Sequence, residues 1–170
     1  MRKIAVTRVL AIDPFSRGVG FAVLEGPDCV VDFGLKITRQ ADNAKAARVI
    51  DKLIDRFRPD ILALEDWGST GSRRCERVEQ LLDRVAASER NDFRVRLVTA
   101  HQLRGIGPLP QASTKYGRAS LLAGRFPELH PFLPPVRKPW MPEDDRMAIF
   151  DATGFAVAYL QIKSRGTEKA

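Results

Sequence analysis

Two carboxylates in this chain stand where apolar runs stop. Asp13 closes Val9-Leu10-Ala11-Ile12, and Glu65 closes Ile61-Leu62-Ala63-Leu64. A carboxylate at the mouth of a buried strand is costly unless it is paired, hydrogen-bonded or bound to a metal. A third acidic group, Glu143-Asp144-Asp145, opens the last apolar segment, and Asp151 lies inside that segment. Acids carried by separate elements can meet in one place, so the pattern suggests a metal-dependent active site. The simpler readings are a turn-forming Asp before Pro14, a Glu65 paired with Arg17 or another base, and acids that cap or compensate a helix.

Charge says what such a site would act on. The 170 residues carry a formal net charge of +7, and the pI is about 9.8. That balance favours a polyanionic partner, with nucleic acid ahead of an anionic membrane surface. No apolar run approaches the roughly 20 residues needed to span a bilayer, so no membrane partner is expected. The basic start, Met1-Arg2-Lys3, is followed by Arg8 and Asp13, which interrupt any secretory pattern. The expected location is cytoplasmic, nucleoid-associated in a bacterial cell. Cys29 and Cys75 have neither a zinc nor a disulfide spacing. A hydrophobic content of 44% suffices for a core, so one domain over 1–170 is expected, with its core at about 8–161 and a polar, frayed tail at 163–170.

The elements that must position the acids follow from pattern. Residues 8–13 read as a buried strand. Gly18 to Leu24 and Cys29 to Ile37 read as two more, separated by Glu25-Gly26-Pro27-Asp28, which predicts an antiparallel meander. Asn43 to Phe57 has helical spacing and stops at Arg58-Pro59-Asp60. Ile61 to Leu64 is a buried strand, Gly68 to Gly71 a loop, Arg73 to Ser88 a helix, and Phe93 to Val98 a strand nearer an edge. Leu103 to Gln111, with two glycines and two prolines, predicts a loop. Ser113 to Phe126 predicts a helix with Ser113 as cap. Pro127 to Pro142 holds six prolines and predicts an extended loop. Pro142 is expected at or before the start of the last helix, which Glu143-Asp144-Asp145 would open and which would run to about Gln161. Strands first, then alternating helix and strand, define an α/β layer architecture with a mixed sheet.

This order, with acids at these points, resembles the RNase H-like fold, a mixed five-stranded sheet flanked by helices. Within it, the chain resembles the RuvC-type Holliday junction resolvases from about Val9 to Leu160. Asp13-Pro14-x-x-Arg17-x-x-Gly20-Phe21 looks like the first family motif, and Pro59-Asp60-x-x-Ala63-Leu64-Glu65 like the second. Lys115-x-Gly117-Arg118-Ala119-Ser120 is similar to the basic helix entry before the last catalytic helix. The resemblance implies an endonuclease that cuts branched DNA, four-way junctions first, in recombination or repair. It also implies two Mg²⁺ or Mn²⁺ ions held by carboxylates, and a homodimer to which the Arg73 to Ser88 helix would contribute. Mg²⁺ takes oxygen ligands at about 2.1 Å, and a two-ion site clamps both the attacking and the leaving oxygen of an in-line displacement.

Asp13 and Glu65 are therefore the first two expected metal ligands and catalytic residues, with Asp145, Asp144 or Asp151 completing the set. The resemblance would put two aspartates three residues apart on the last helix. Either register, through Asp145 or through Asp151, lets one of the two positions fall on Ala148. A helix N-terminus would favour Asp144 and Asp145, whereas Asp151-Ala152 with Ala156 and Ala158 fits a small-residue helix. Phe15 stands where the family usually has Gly. Expected nucleic-acid contacts are Lys115, Arg118, Arg17, Arg73, Arg74, Arg137 and Lys138 on phosphates, with Trp140 stacking on an unpaired base. Trp67 could pack under the site or insert into a junction. His101 reads as structural or phosphate-contacting. Two other outcomes stay open: a nucleic-acid-binding protein of this fold that has lost cleavage, and a nuclease acting on another substrate such as an RNA–DNA hybrid.

Overall fold

The computed structural model describes residues 6–89 and 92–167. Arg8–Phe15 (β1), Gly18–Glu25 (β2) and Val30–Ile37 (β3) form the expected antiparallel meander. Gly26, at a φ of 76°, supplies the left-handed residue that the turn after β2 requires. Asn43–Phe57 (α1) returns the chain to Ile61–Glu65 (β4), which pairs parallel to β1. Glu76–Ala86 (α2) then leads to Arg94–Val98 (β5), parallel to β4. The spatial order is β3-β2-β1-β4-β5, a mixed five-stranded sheet with β1 at its centre. Ala100–Arg104 (α3), Lys115–Arg125 (α4) and Met147–Thr167 (α5) complete the chain.

The helices divide between the two faces. The α1 and α2 layer packs on Leu10, Ile12, Phe21, Leu62 and Leu64. The α4 and α5 layer packs on Val9, Ala11, Ala22, Ile61 and Ala63. β1 is covered on both sides, so its sequence is a continuous apolar run rather than an alternation. Among the described residues no helix is long and apolar enough to cross a membrane.

Several boundaries differ from expectation, most for a local reason. α2 begins at Glu76 rather than Arg73: Cys75 is the extended N-cap, and Glu76 and Glu79 fill a first turn that suits acids. Thr114, not Ser113, caps α4, with its hydroxyl oxygen accepting from the Gly117 amide at 3.0 Å. The expected loop over Leu103 to Gln111 overlaps α3, which Thr99 and Gln102 start with a reciprocal capping box. Pro127–Phe132 is a 3₁₀ turn anchored by buried Leu129 rather than part of an extended loop. The last helix starts at Met147, after Pro142 as expected but beyond the Glu143-Asp144-Asp145 run expected to open it, and runs to Thr167, past the expected end at Gln161. Residues 168–170 of the expected tail lie outside the described residues.

Candidate active site

Strand period 2 puts the first two acids on the same face. Val9 and Ala11 point to the α4 and α5 layer, so Asp13 does too, while Leu10 and Ile12 point away. Ile61 and Ala63 share that layer, which sends Glu65 to the same side. β1 and β4 pair in parallel with Ala11 opposite Ala63, so the two carboxylates emerge at the same end of adjacent strands.

The third acid comes from α5. Ala148, Asp151, Ala152 and Phe155 lie at helical spacing on its inner face; the three apolar residues are buried and the Asp151 side chain is 13% exposed. The approach depends on Gly20, the β2 partner of Asp13 in the sheet register. A Cβ on Gly20 would stand 2.5 Å from the backbone and side chain of Ala148. Backbone therefore meets helix with no side chain between them, and Asp151, one turn beyond Ala148, reaches the strand ends. The same contact explains why position 148 is small.

Two cations hold these acids. Arg74 donates through Nε to Glu65 and through Nη2 to Asp13, and its Nη1 donates to the Pro14 carbonyl at 3.0 Å. Lys115 Nζ stands 2.8 Å from Asp151 and 2.7 Å from Glu143. Asp13 is 2% exposed. Burial pushes its carboxyl up to about 7, against the pull of Arg74, and the Asp151 charge adds to the rise. Burial likewise raises Asp151, with Lys115 opposing. Burial alone would lower Arg74 and Lys115, but the facing carboxylates, Asp13 and Glu65 for the first and Asp151 and Asp13 for the second, hold both above their ordinary values.

Glu65 and Asp151 open into a cleft of about 360 Å³ whose walls also include Arg73, Arg74, Lys115 and Arg118. The donor set is all carboxylate oxygen, the chemistry that suits a hard divalent cation. Among the described residues no three acids form a group that could hold a metal ion; Arg74 pairs with Asp13 and Glu65, and Lys115 with Asp151.

Other expected site residues sit elsewhere. Asp144 and Asp145 precede α5 rather than lie in its first turn. Asp144 binds Arg146 at 2.6 Å, and Asp145 binds Arg17 at 2.5 Å. Arg17 is thus partnered, in a neighbouring groove that shares Glu143 with the cleft, and Arg74 faces acids rather than solvent. Arg73 is exposed on the cleft wall, and Arg118 is half-buried there, donating to the Ala112 carbonyl at 3.1 Å. Arg137 lines an adjoining groove that shares Lys115 and Glu143 with the cleft. Trp140 is 77% exposed, with Lys138 Nζ 5.4 Å from its ring centre. Trp67 packs, half-buried, against the α1 and α2 layer. Phe15 ends β1 half-buried, and His101 lies in α3. Sequence reasoning misses the Arg74 bridge and the part of Glu143. A pair of arginines shortly after Glu65 is the signal for the first; for the second there is only Glu143's place in an acidic run.

A central antiparallel meander extended by two parallel strands, with helices on both faces, is an RNase H-like fold. Solved structures narrow it further. Thermus thermophilus RuvC in complex with Holliday junction substrate superposes with a TM-score of 0.66 at 17% identity, over 94% of this chain and 97% of that one. The yeast mitochondrial Holliday junction resolvase Ydc2 gives 0.59 at 13% identity, over 94% and 80%. The fowlpox virus resolvase in complex with Holliday junction DNA gives 0.52 at 9% identity, over 92% and 98%. The chain has the RuvC-type resolvase fold. No protein-family model and no curated protein matches the sequence.

Proposed function

We propose that this chain is a metal-dependent endonuclease of branched DNA, with four-way junctions as first substrate, serving recombination or repair. The observation that carries the reading is the gathering of Asp13, Glu65 and Asp151, from two strand ends and a helix, around Arg74 and Lys115, with Glu65 and Asp151 on a cleft also walled by Arg73 and Arg118. The fold's solved neighbours include resolvases bound to junction DNA, which favours junctions among nucleic acids.

Asp13, Glu65 and Asp151 are the residues that would hold Mg²⁺ or Mn²⁺. Such an ion, when bound, supplies Lewis-acid polarisation of a phosphate and a more acidic water. The chain's own groups do the rest. Exposed Arg73 and half-buried Arg118 orient the strand through its phosphates. Lys115 opposes the rise that burial imposes on Asp151 and holds its carboxylate at 2.8 Å on the cleft wall. β1, β4 and α5 fix the carboxylates on rigid elements, as ångström-level positioning demands. A homodimer, presenting two clefts to the arms of one junction, and a cytoplasmic location belong to the same proposal.

A binding protein of this fold without cleavage is the second reading, favoured by the ion pairs that already occupy Asp13, Glu65 and Asp151. The test is incubation with labelled four-way junction, linear duplex and RNA–DNA hybrid in Mg²⁺ or Mn²⁺, beside Asp13→Asn. Junction cutting lost in Asp13→Asn is the expected result. Junction binding without cutting would move the assignment to the binding protein. Preferred cutting of the hybrid would keep the nuclease and change its substrate.

A further inference from the structure

Residues 133–142 leave an unusual amount of apolar side chain in water. Among the described residues Trp140, at 77%, is the most exposed large hydrophobic, and Val136 at 69% and Met141 at 43% belong to the same short segment. Single exposed apolar residues are ordinary, but a run of them rimmed by charge marks a contact surface. Arg137 and Lys138, both exposed, supply the charge here.

The segment is held in place along its length. It contains Pro134, Pro135, Pro139 and Pro142, each of which fixes its own φ. The Met141 amide donates to the Lys138 carbonyl at 3.0 Å, closing a turn around Trp140. Lys138 Nζ lies 5.4 Å from the indole ring centre, within reach of a cation–π contact. Buried Pro134 anchors the entry, together with Leu133, which packs on the α4 and α5 layer. Buried Met147 anchors the exit, and the ion pairs of Glu143 with Lys115 and of Asp145 with Arg17 tie it to the body of the protein. Trp140 therefore sits on a backbone that is already ordered, and a contact there loses little conformational entropy.

Position and charge say what the surface meets. A groove of about 240 Å³ between this segment and α4, lined by Pro134, Val136, Arg137 and Tyr116, shares Lys115 and Glu143 with the cleft. A nucleic-acid strand that leaves the cleft past Lys115 continues onto the segment. The nearby acids are already engaged, Glu143 by Lys115, Asp144 by Arg146 and Asp145 by Arg17, so Arg137 and Lys138 meet the phosphates. The indole adds a flat face, which stacks on any base. Inside a duplex both faces of a base are covered by its neighbours, so only a base outside the stack can take it.

We propose that residues 133–142 form an arm that selects unpaired bases: Trp140 stacks on a base that has left its pair beside the cleft, while Arg137 and Lys138 hold the phosphates flanking it. The inference rests on the nucleic-acid part of the proposed function and deepens it, because it gives the chain a physical preference for branched or single-stranded DNA over plain duplex.

The experiment measures binding of the full chain to a four-way junction, a single strand and a linear duplex, in chelator so that nothing is cut. Trp140→Ala should weaken junction and single-strand binding by about 5- to 150-fold, the range spanned by one base stacked on an aromatic ring, and duplex binding by less than about twofold. Trp140→Phe keeps an aromatic face and should recover most of the loss; Trp140→Leu, apolar but not flat, should not. In Trp67→Phe, where Trp140 is the one remaining tryptophan, saturating single strand should quench the emission. Unchanged affinity in Trp140→Ala, or an equal loss on duplex, would overturn the inference. So would a dimer that falls apart in Trp140→Ala by sedimentation, since the surface would then belong to a second copy of the chain. Quenching without any cutting in Mg²⁺ or Mn²⁺ would remove the nuclease and leave the arm; cutting without quenching would remove the arm and leave the nuclease. Circular dichroism checks each variant, and should Trp67→Phe not fold, the affinity series still decides.

Discussion

Asp13, Glu65 and Asp151 are far apart in sequence and meet in space, whereas Glu143, Asp144 and Asp145 are adjacent in sequence and turn to three different partners. The first set arrives on two strands and a helix, and Arg74 and Lys115 hold it together. The second set goes to Lys115, Arg146 and Arg17 in turn. Density of acids therefore does not mark the site. Convergence from rigid elements, with burial, does, because only there is the charged form penalised enough to demand a cation.

The largest expected effect separates the two sets directly. Asp13→Asn or Asp151→Asn should lower the single-turnover rate of junction cutting by on the order of 10³ or more, with junction binding changed by less than about threefold. Each keeps the side-chain volume and removes one metal-ligating charge. If Asp151→Asn cuts normally while Asp145→Asn does not, the two regions exchange roles.

Much of that contrast is legible in the amino-acid sequence, and the illegible part has a physical cause. Asp13 and Glu65 stand out because a two-residue period carries a strand's face through to its last residue. The core strands and α1 are legible for the same reason of period. The third acid is not, because the choice between Asp145 and Asp151 depends on where α5 starts. Its run-in, Pro139 to Arg146, carries charges and prolines whose partners, Arg17 and Lys115, are distant in sequence. Arg74 reads as a phosphate contact in sequence because basic charge on a loop is usually solvated; only the fold brings it between two carboxylates. The start of α2 moves with it.

A second way to break the contrast is to disturb the contact that brings Asp151 in. Gly20→Ala puts a methyl group 2.5 Å from Ala148, between two backbones that have no slack. Overpacking of this kind costs about 1–3 kcal/mol. The melting temperature should fall by about 2–12 °C, and a displaced Asp151 should cost about 10² in cutting rate. The same change at a glycine remote from the site, Gly124→Ala, meets nothing within 4 Å and should leave cutting unaltered. Equal effects of the two would mean that the Gly20 contact does not position the acid.

The pH dependence of the metal-free protein sharpens the role of burial. Asp13 sits at about 7 in the folded chain against 3.8 for an ordinary aspartate. Between pH 4 and pH 7 the folded state therefore binds more protons than the unfolded one, so stability falls as pH rises through that window. One such group gives a slope of at most about 1.4 kcal/mol per pH unit. Asp151 is shifted in the same direction. Thermal unfolding in excess chelator from pH 4 to pH 8 should show the decline, and Asp13→Asn, which cannot lose a proton there, should flatten it. A decline unaltered in Asp13→Asn would place its origin in other groups.

The smallest effects should come from the outer acids. Asp144 lies below the usual aspartate range because Arg146 hydrogen-bonds to it, but both side chains are more than a third exposed. Exposed pairs of this kind are worth about 0–1 kcal/mol. Arg17, the partner of Asp145, is 65% exposed. Asp144→Asn and Asp145→Asn should therefore shift the melting temperature by less than about 4 °C and cutting by less than about threefold. Asp145→Asn carries the sharper question, since it releases Arg17 beside the cleft. A free Arg17 would strengthen junction binding at low salt and lose the gain as salt rises, whereas a tenfold fall in cutting with binding intact would bring Asp145 into the reactive set and erase the difference between the two regions.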